Sequence, residues 1–99
     1  MSKLIKPEKD IKELFNAFSK IESPSERERF FYDLLTSDEL NDIARRWKVA
    51  TMLENKTPFS EIENKTGMSS TTIARISKWL KSGYGGMSKM IKKTNGKKS

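Results

Sequence analysis

Residues 59–81 read F-S-E-I-E-N-K-T-G-M-S-S-T-T-I-A-R-I-S-K-W-L-K, and this stretch decides the fold. Two runs of apolar residues at helical spacing flank a short turn that contains Gly67, which is the outline of a helix-turn-helix. Counted from Phe59, Gly67 takes the ninth place, where the chain turns sharply and glycine tolerates a positive φ. Glu63 departs from the pattern, since the fifth place usually holds a small residue. The packing positions of the motif hold Ile62, Met68, Ile73 and Ile76.

The second helix of this motif, over 70–81, begins with side chains that favour helix poorly. Short hydroxyl residues let a backbone approach the bases of a DNA major groove and can both donate and accept hydrogen bonds there. The alternative is that this segment only caps the helix, a role that Ser69 or Ser70 can fill. We predict that the segment reads the major groove through Ser69, Ser70, Thr71 and Thr72.

Four cationic side chains on or near this helix are further candidates for contacts with DNA. Arg75 lies one turn beyond Thr71 and can bind guanine or a phosphate. Lys78, Lys81 and Lys56 suit phosphate contacts, although each could also be simply solvated. The predicted partner is therefore double-stranded DNA.

Charge is distributed unevenly along the chain, whose formal net charge is +7. Residues 1–40 carry 7 Lys/Arg and 9 Asp/Glu, whereas residues 41–99 carry 13 Lys/Arg and 4 Asp/Glu, and no acidic residue follows Glu63. A basic half of this kind indicates a polyanionic partner. A solubilising lysine tail would explain only Lys97 and Lys98.

The remaining sequence also predicts helices. One covers 8–21, a second follows the Ser23-Pro24 start to about 35, and a capping box from Thr36 to Glu39 opens a third that ends near 54. We predict one helical domain over 1–93, with core and dimerisation helices over 8–56, the helix-turn-helix over 57–82, a short helix over 87–93 and a disordered tail over 94–99. The predicted inner face of the third helix consists of Leu40, Ile43, Ala44, Trp47, Ala50 and Leu53.

Composition limits the alternatives. A hydrophobic fraction of 34% is low for a self-sufficient globule. The aromatic residues between Phe15 and Tyr32 therefore favour a homodimer interface over the alternative of an ordinary monomer core. Without Cys or His, thiol nucleophiles, imidazole bases and ordinary zinc sites are excluded, so we expect no enzyme, metal or cofactor. No apolar run is long enough for a membrane span, and we expect a cytoplasmic protein.

Three stretches together resemble the Trp repressor family, and particularly its small YerC/YecD-type relatives. They are L-L-T-S-D-E-L-N-D-I-A-R-R-W-K-V-A, F-S-E-I-E-N-K-T-G-M-S-S-T-T-I-A-R-I-S-K-W-L and G-Y-G-G, within 30–91. The resemblance implies an all-α fold of six helices with a helix-turn-helix, assembled as an intertwined homodimer. It also implies a transcriptional repressor that acts on a pseudo-palindromic operator.

The resemblance also marks a possible ligand pocket. Thr36, Arg46 and Arg75 match residues of the family's tryptophan site, but Ile76 stands where the repressor has glycine and Trp79 where it has serine. Because both changes add bulk, we predict that free tryptophan does not bind. Two alternatives stay open: a regulator whose unidentified anionic effector is held by the arginines, and a helical adaptor that binds protein without DNA affinity. The acid-free stretch argues against the adaptor.

Overall fold

The computed structural model describes residues 8–95, and within them every regular element is an α-helix. The helices are α1 (Lys9–Phe18), α2 (Pro24–Leu34), α3 (Ser37–Glu54), α4 (Phe59–Thr66), α5 (Ser70–Ser82) and α6 (Gly86–Asn95). The chain divides between Leu40 and Asn41 into two compact units, so the boundary falls inside α3. The same boundary separates the acidic from the basic half of the sequence. The all-α prediction is confirmed, whereas the single domain over 1–93 stays a prediction.

Four phenylalanine rings dominate the N-terminal unit. The ring centroid of Phe18 lies 5.6 Å from that of Phe30, edge to face, and 5.5 Å from that of Phe31. Phe15 extends the cluster, with its centroid 6.3 Å from that of Phe18. Nevertheless α1 and α2 contain no buried residue, and 56% of Phe15 is exposed. These two short helices therefore hold their aromatic rings together without enclosing them.

The predicted helix starts in this unit are confirmed by their hydrogen bonds. The Ser23 hydroxyl accepts from the Glu26 N–H at 3.1 Å, and Pro24 takes the first helical position. At the start of α3, the Thr36 hydroxyl accepts from the Glu39 N–H at 3.1 Å while the Thr36 N–H donates to the Glu39 carboxylate at 2.8 Å. Both arrangements satisfy N–H groups that a helix leaves unpaired at its start.

The first helix is shorter than its apolar stripe predicts, since α1 ends at Phe18 rather than at residue 21. The Ser19 hydroxyl donates to the carbonyl of Asn16 at 2.6 Å. The Ser19 N–H is shared between the carbonyls of Phe15 and Asn16. This tight last turn ends the α-helical hydrogen bonding before Ile21.

The core of the C-terminal unit lies where α3, α4, α5 and α6 contribute apolar side chains. Its buried members are Val49, Ala50, Met52, Ile62, Ile73, Ile76 and Ile91, and Trp47, Leu53, Met68, Leu80 and Met87 pack against it. The predicted packing residues of the helix-turn-helix are thus confirmed. The predicted inner face of α3 is confirmed at Trp47, Ala50 and Leu53, whereas 49% of Ile43 is exposed. Val49 and Met52, which were not predicted, are also buried. Apolar residues on α3 occupy more than one face, and periodicity alone identified the covered one only in part.

The last helices run further than predicted. α5 ends at Ser82, one residue beyond 81, and α6 covers Gly86–Asn95 instead of 87–93. The first two residues of the predicted tail are therefore helical, and the Thr94 hydroxyl donates to the carbonyl of Ile91 at 3.0 Å. The rest of that tail, residues 96–99, lies outside the described residues.

Candidate nucleic-acid interface

The turn between α4 and α5 brings the two helices together at Gly67. This residue has a φ of 76° and ends α4 in the left-handed conformation, with its N–H donating to the Glu63 carbonyl at 2.9 Å. Such a conformation suits glycine, which has no Cβ to clash with the following carbonyl. Ile62 from α4 and Ile73 and Ile76 from α5 are fully buried beneath the turn. The core therefore holds α5 by one face.

Hydrogen bonds at the tip of α5 divide its four hydroxyl residues into two pairs. Ser69 is the N-cap: its hydroxyl accepts from the Thr72 N–H at 3.2 Å and donates to the Thr72 hydroxyl at 3.1 Å. Ser70 and Thr71 are exposed, and their side chains form no hydrogen bond with any part of the chain between residues 8 and 95. The predicted N-cap role is thus confirmed for Ser69, whereas the hydroxyls of Ser70 and Thr71 remain available to an external partner.

The exposed face of α5 lies opposite to the core. At about 100° per residue, Thr71, Arg75 and Lys78 fall within a sector of roughly 60°. All three are exposed, on the side of the helix away from Ile73 and Ile76. No acidic residue occurs on α5, so this face combines short hydroxyl groups with two uncompensated positive charges.

One flank of this face carries a contact between an arginine and an indole. The guanidinium carbon of Arg46, on α3, lies 5.5 Å from the ring centroid of Trp79, whose side chain is 40% exposed. A guanidinium at this distance is attracted by the negative face of the ring. The contact joins the middle of α3 to the C-terminal half of α5.

The structure brings together only part of the predicted ligand pocket. Arg46 and Trp79 contact each other, but Ile76 is fully buried in the core and Arg75 is exposed. Thr36 belongs to the N-terminal unit, where its hydroxyl caps α3. The pocket as a whole stays a prediction.

The other flank carries a groove between the end of α3, α5 and α6. Its volume is about 410 Å³, and it is lined by Leu53, Glu54, Lys56, Ser77, Leu80, Lys81 and Ser88. Two of the lysines predicted to contact phosphate, Lys56 and Lys81, therefore lie in one groove, although they are far apart in sequence. Both lysines were predicted individually to contact phosphate, but no sequence pattern indicates that they share a site.

Within the range 8–95, no group of three or more Asp, Glu, His or Cys side chains could hold a metal ion. None of the helices in that range combines the length and the apolar character needed to cross a membrane.

Comparison with known proteins identifies the family. Residues 9–95 match the family model described as Trp repressor protein. The chain belongs to the Trp repressor family. It is 37% identical over 75 residues to the uncharacterized protein YerC of Bacillus subtilis, an alignment that covers 76% of this chain and 72% of the relative. The predicted family and its YerC-type branch are therefore confirmed.

A solved structure supports the Trp-repressor-like fold directly. The crystal structure of a TrpR-like protein from Eubacterium eligens superimposes with a TM-score of 0.82 at 28% sequence identity, covering 89% of this chain and 91% of the other. Trp repressor proteins are DNA-binding regulators, and membership of the family suggests the same general role for this chain. The six-helix architecture predicted from the sequence is confirmed within the described residues.

Proposed function

We propose that this member of the Trp repressor family is a dimeric, sequence-specific DNA-binding transcriptional regulator of the repressor type. In this proposal α5 enters the major groove and its exposed face contacts the bases. The observation that carries the proposal is the arrangement of Thr71, Arg75 and Lys78 on the side of α5 opposite to the core, with no carboxylate on that helix. A duplex can approach these groups without disturbing the packing of the unit.

The residues divide into two proposed roles. Ser70, Thr71 and Arg75 lie at or one turn beyond the N-terminal tip of α5, where side chains of a helix-turn-helix reach base edges. Lys78 and Lys81 lie further along α5 and contact phosphates, as does Lys56 from the turn after α3. Phosphate contacts supply affinity and register, whereas base contacts supply the sequence preference.

Salt titration of duplex binding tests this function. With purified protein and a fluorescent duplex, the logarithm of the binding constant should fall linearly with the logarithm of salt concentration, by about 0.9 for each phosphate neutralised. Binding that is absent at low salt, or that does not respond to salt, would exclude a DNA-binding role.

We further propose that the regulator acts without free tryptophan. The supporting observation is the contact between Arg46 and Trp79, because the guanidinium face that could cover a ligand's aromatic ring is already covered by an indole of the chain itself. Ile76, which stands where the repressor has glycine, is fully buried in the core. Calorimetry with L-tryptophan should detect no binding at micromolar concentrations, and a saturable heat in that range would overturn this part of the proposal.

Homodimerisation is proposed from the N-terminal unit. Its helices α1 and α2 contain no buried residue, and Phe15, Tyr32 and Leu34 are 56%, 67% and 47% exposed. Large apolar side chains left exposed on helices without a buried residue are typical of protein interfaces. A second copy of the chain would cover them and would also present two copies of α5 to a pseudo-palindromic site.

A further inference from the structure

The turn that ends α3 places a lysine where the backbone favours glycine. Lys56 has a φ of 66° and is the one non-glycine residue with a positive φ in the described part of the chain. Its N–H donates to the Leu53 carbonyl and the Thr57 N–H donates to the Met52 carbonyl, each at 3.0 Å. This pair of bonds is the Schellman arrangement, whose left-handed residue is usually glycine because a Cβ there meets the neighbouring carbonyl. Lys56 therefore adopts a strained conformation.

The side chain of Lys56 lines the groove between the end of α3, α5 and α6, where it has no ion-pair partner among the described residues. It is exposed and lines the groove together with Lys81, over an apolar base that includes Leu53 and Leu80. Between residues 8 and 95, neither lysine forms an ion pair, although Glu54 also borders the groove. Beyond the two backbone hydrogen bonds of the turn, no side-chain hydrogen bond or ion pair of Lys56 within the described residues offsets the strain at this position.

Lys81 connects the groove to the proposed DNA-binding face. It follows Lys78 by three residues on α5 and so lies on the flank of the sector formed by Thr71, Arg75 and Lys78. Lys81 therefore belongs both to the groove and to the flank of that face. Through this lysine the groove borders the proposed DNA-binding face.

We propose that Lys56 and Lys81 together hold a backbone phosphate of DNA, and that Lys56 is retained in the left-handed conformation for this contact at the expense of stability. This inference rests on the proposed DNA-binding function, because the phosphate it names belongs to the bound duplex. It adds a specific consequence: at this one position, folding stability and DNA affinity change in opposite directions.

The substitution Lys56→Gly tests both halves of the inference. Glycine relieves the backbone strain, so the thermal midpoint should rise by roughly 4 °C. Removal of the charge should weaken duplex binding roughly tenfold, the loss of a charge-assisted hydrogen bond. The salt dependence of binding should also become shallower by about 0.9 for each protomer on the duplex.

Three further variants separate strain from charge. Lys56→Arg keeps the charge and the left-handed backbone, so it should give no gain in thermal midpoint and should retain the salt dependence that Lys56→Gly loses. Lys81→Gln removes a charge without relieving strain, so it should weaken binding and flatten the salt dependence with no gain in thermal midpoint. Lys12→Gln, on α1 in the N-terminal unit, is the matched control. It also removes one positive charge, but it should change neither duplex binding nor the thermal midpoint.

The outcomes distinguish this inference from the function on which it rests. If the unmodified protein binds duplexes and Lys56→Gly binds them equally well with the same salt dependence, the phosphate site is wrong and the DNA-binding function stands. If Lys56→Gly lowers the thermal midpoint, the claim of strain is wrong. If inorganic phosphate stabilises the unmodified protein but not Lys56→Gly, while duplex binding is absent, the groove holds a free anion and the assignment to DNA is overturned together with the proposed function.

Discussion

At the residue scale, the hydroxyl side chains at the tip of α5 fall into two groups, one that caps the helix and one that is exposed to solvent. The Ser69 hydroxyl is committed to the Thr72 N–H and hydroxyl, whereas Ser70 and Thr71 point to solvent. The low helix propensity of the segment is therefore offset at its first position by a cap, which satisfies an N–H that the helix itself cannot. The remaining hydroxyl groups leave room for a ligand to approach the backbone.

The cap predicts a difference between two neighbouring serines. Ser69→Ala should lower the free energy of unfolding by about 1 kcal/mol, since it leaves the Thr72 N–H without its partner. Ser70→Ala, the matched control, should change it by less than about 0.5 kcal/mol because its side chain is exposed. Urea denaturation of both variants measures the difference, and equal losses would show that Ser69 is not the stabilising cap.

Base contact and phosphate contact should be separable on the exposed face of α5. Arg75→Ala should narrow the difference in binding free energy between a selected operator and random duplexes by about 1–3 kcal/mol, whereas Lys78→Ala should weaken both nearly equally. Fluorescence anisotropy with both duplexes provides the comparison. A uniform loss for Arg75→Ala would assign that arginine to phosphate. Thr72→Ala should also narrow this difference in binding free energy. Because the substitution removes the hydrogen bond between the Thr72 and Ser69 hydroxyls as well, the measured affinities must be corrected for the fraction of unfolded protein.

At the element scale, the turn between α4 and α5 depends on backbone conformation more than on contacts. A Cβ built on Gly67 would meet no atom within 4 Å, so the only penalty for a larger residue is its φ of 76°. Gly67→Ala should therefore lower the free energy of unfolding by about 1–2 kcal/mol. Gly86→Ala has equal space but no positive φ and should leave the stability unchanged or raise it. Thermal denaturation of both distinguishes strain from packing, and similar losses would contradict the account.

The contact between α3 and α5 makes a second prediction at this scale. Arg46→Gln and Trp79→Leu should each destabilise the protein, and the double variant should reveal a coupling of about 0.5–1 kcal/mol, the usual size of an exposed cation–π pair. A double-mutant cycle by urea denaturation measures this coupling. Additive losses would mean that the two side chains are near each other without interacting.

The elements also show what sequence patterns could and could not predict. The buried isoleucines of the helix-turn-helix and the caps at Ser23 and Thr36 follow from local spacing, because each depends on residues three or four positions apart. The covered face of α3 followed only in part, since its apolar residues occupy more than one side and tertiary packing selects among them. Lys56 was predicted to contact phosphate. Its left-handed backbone conformation was not predicted, because the sequence Asn55-Lys56 lacks the glycine that usually marks such a turn. The Arg46–Trp79 contact was missed because it joins distant segments.

At the scale of the whole molecule, the division between Leu40 and Asn41 separates two different surfaces. In the N-terminal unit, α1 and α2 contain no buried residue, and residues 1–40 carry slightly more acidic than basic side chains, whereas the C-terminal unit has a buried core and the excess of positive charge. The two proposed activities, assembly and DNA binding, therefore fall on different parts of the chain. Because like charges repel, an apolar and nearly neutral surface is the better one for pairing two copies.

Dimerisation through the N-terminal unit predicts a mass near twice the 11.4 kDa of the chain in light scattering. The thermal midpoint should also rise with protein concentration, since association stabilises only the folded state. Phe15→Ser should reduce the dimer fraction and weaken this concentration dependence. Phe59→Ser, at an apolar residue 42% exposed in the other unit, is the matched control and should preserve both. A monomeric mass at all concentrations would exclude the proposed assembly.

If the exposed face of α5 reads DNA sequence, selection of bound fragments from a random duplex pool will reveal the preferred site. The unmodified protein should enrich a pseudo-palindrome whose half-sites lie about one helical turn apart, and Arg75→Ala should lose preference at specific positions of that site while still binding duplexes. Recovery of an unenriched pool, or of the same motif with both proteins, would contradict the account.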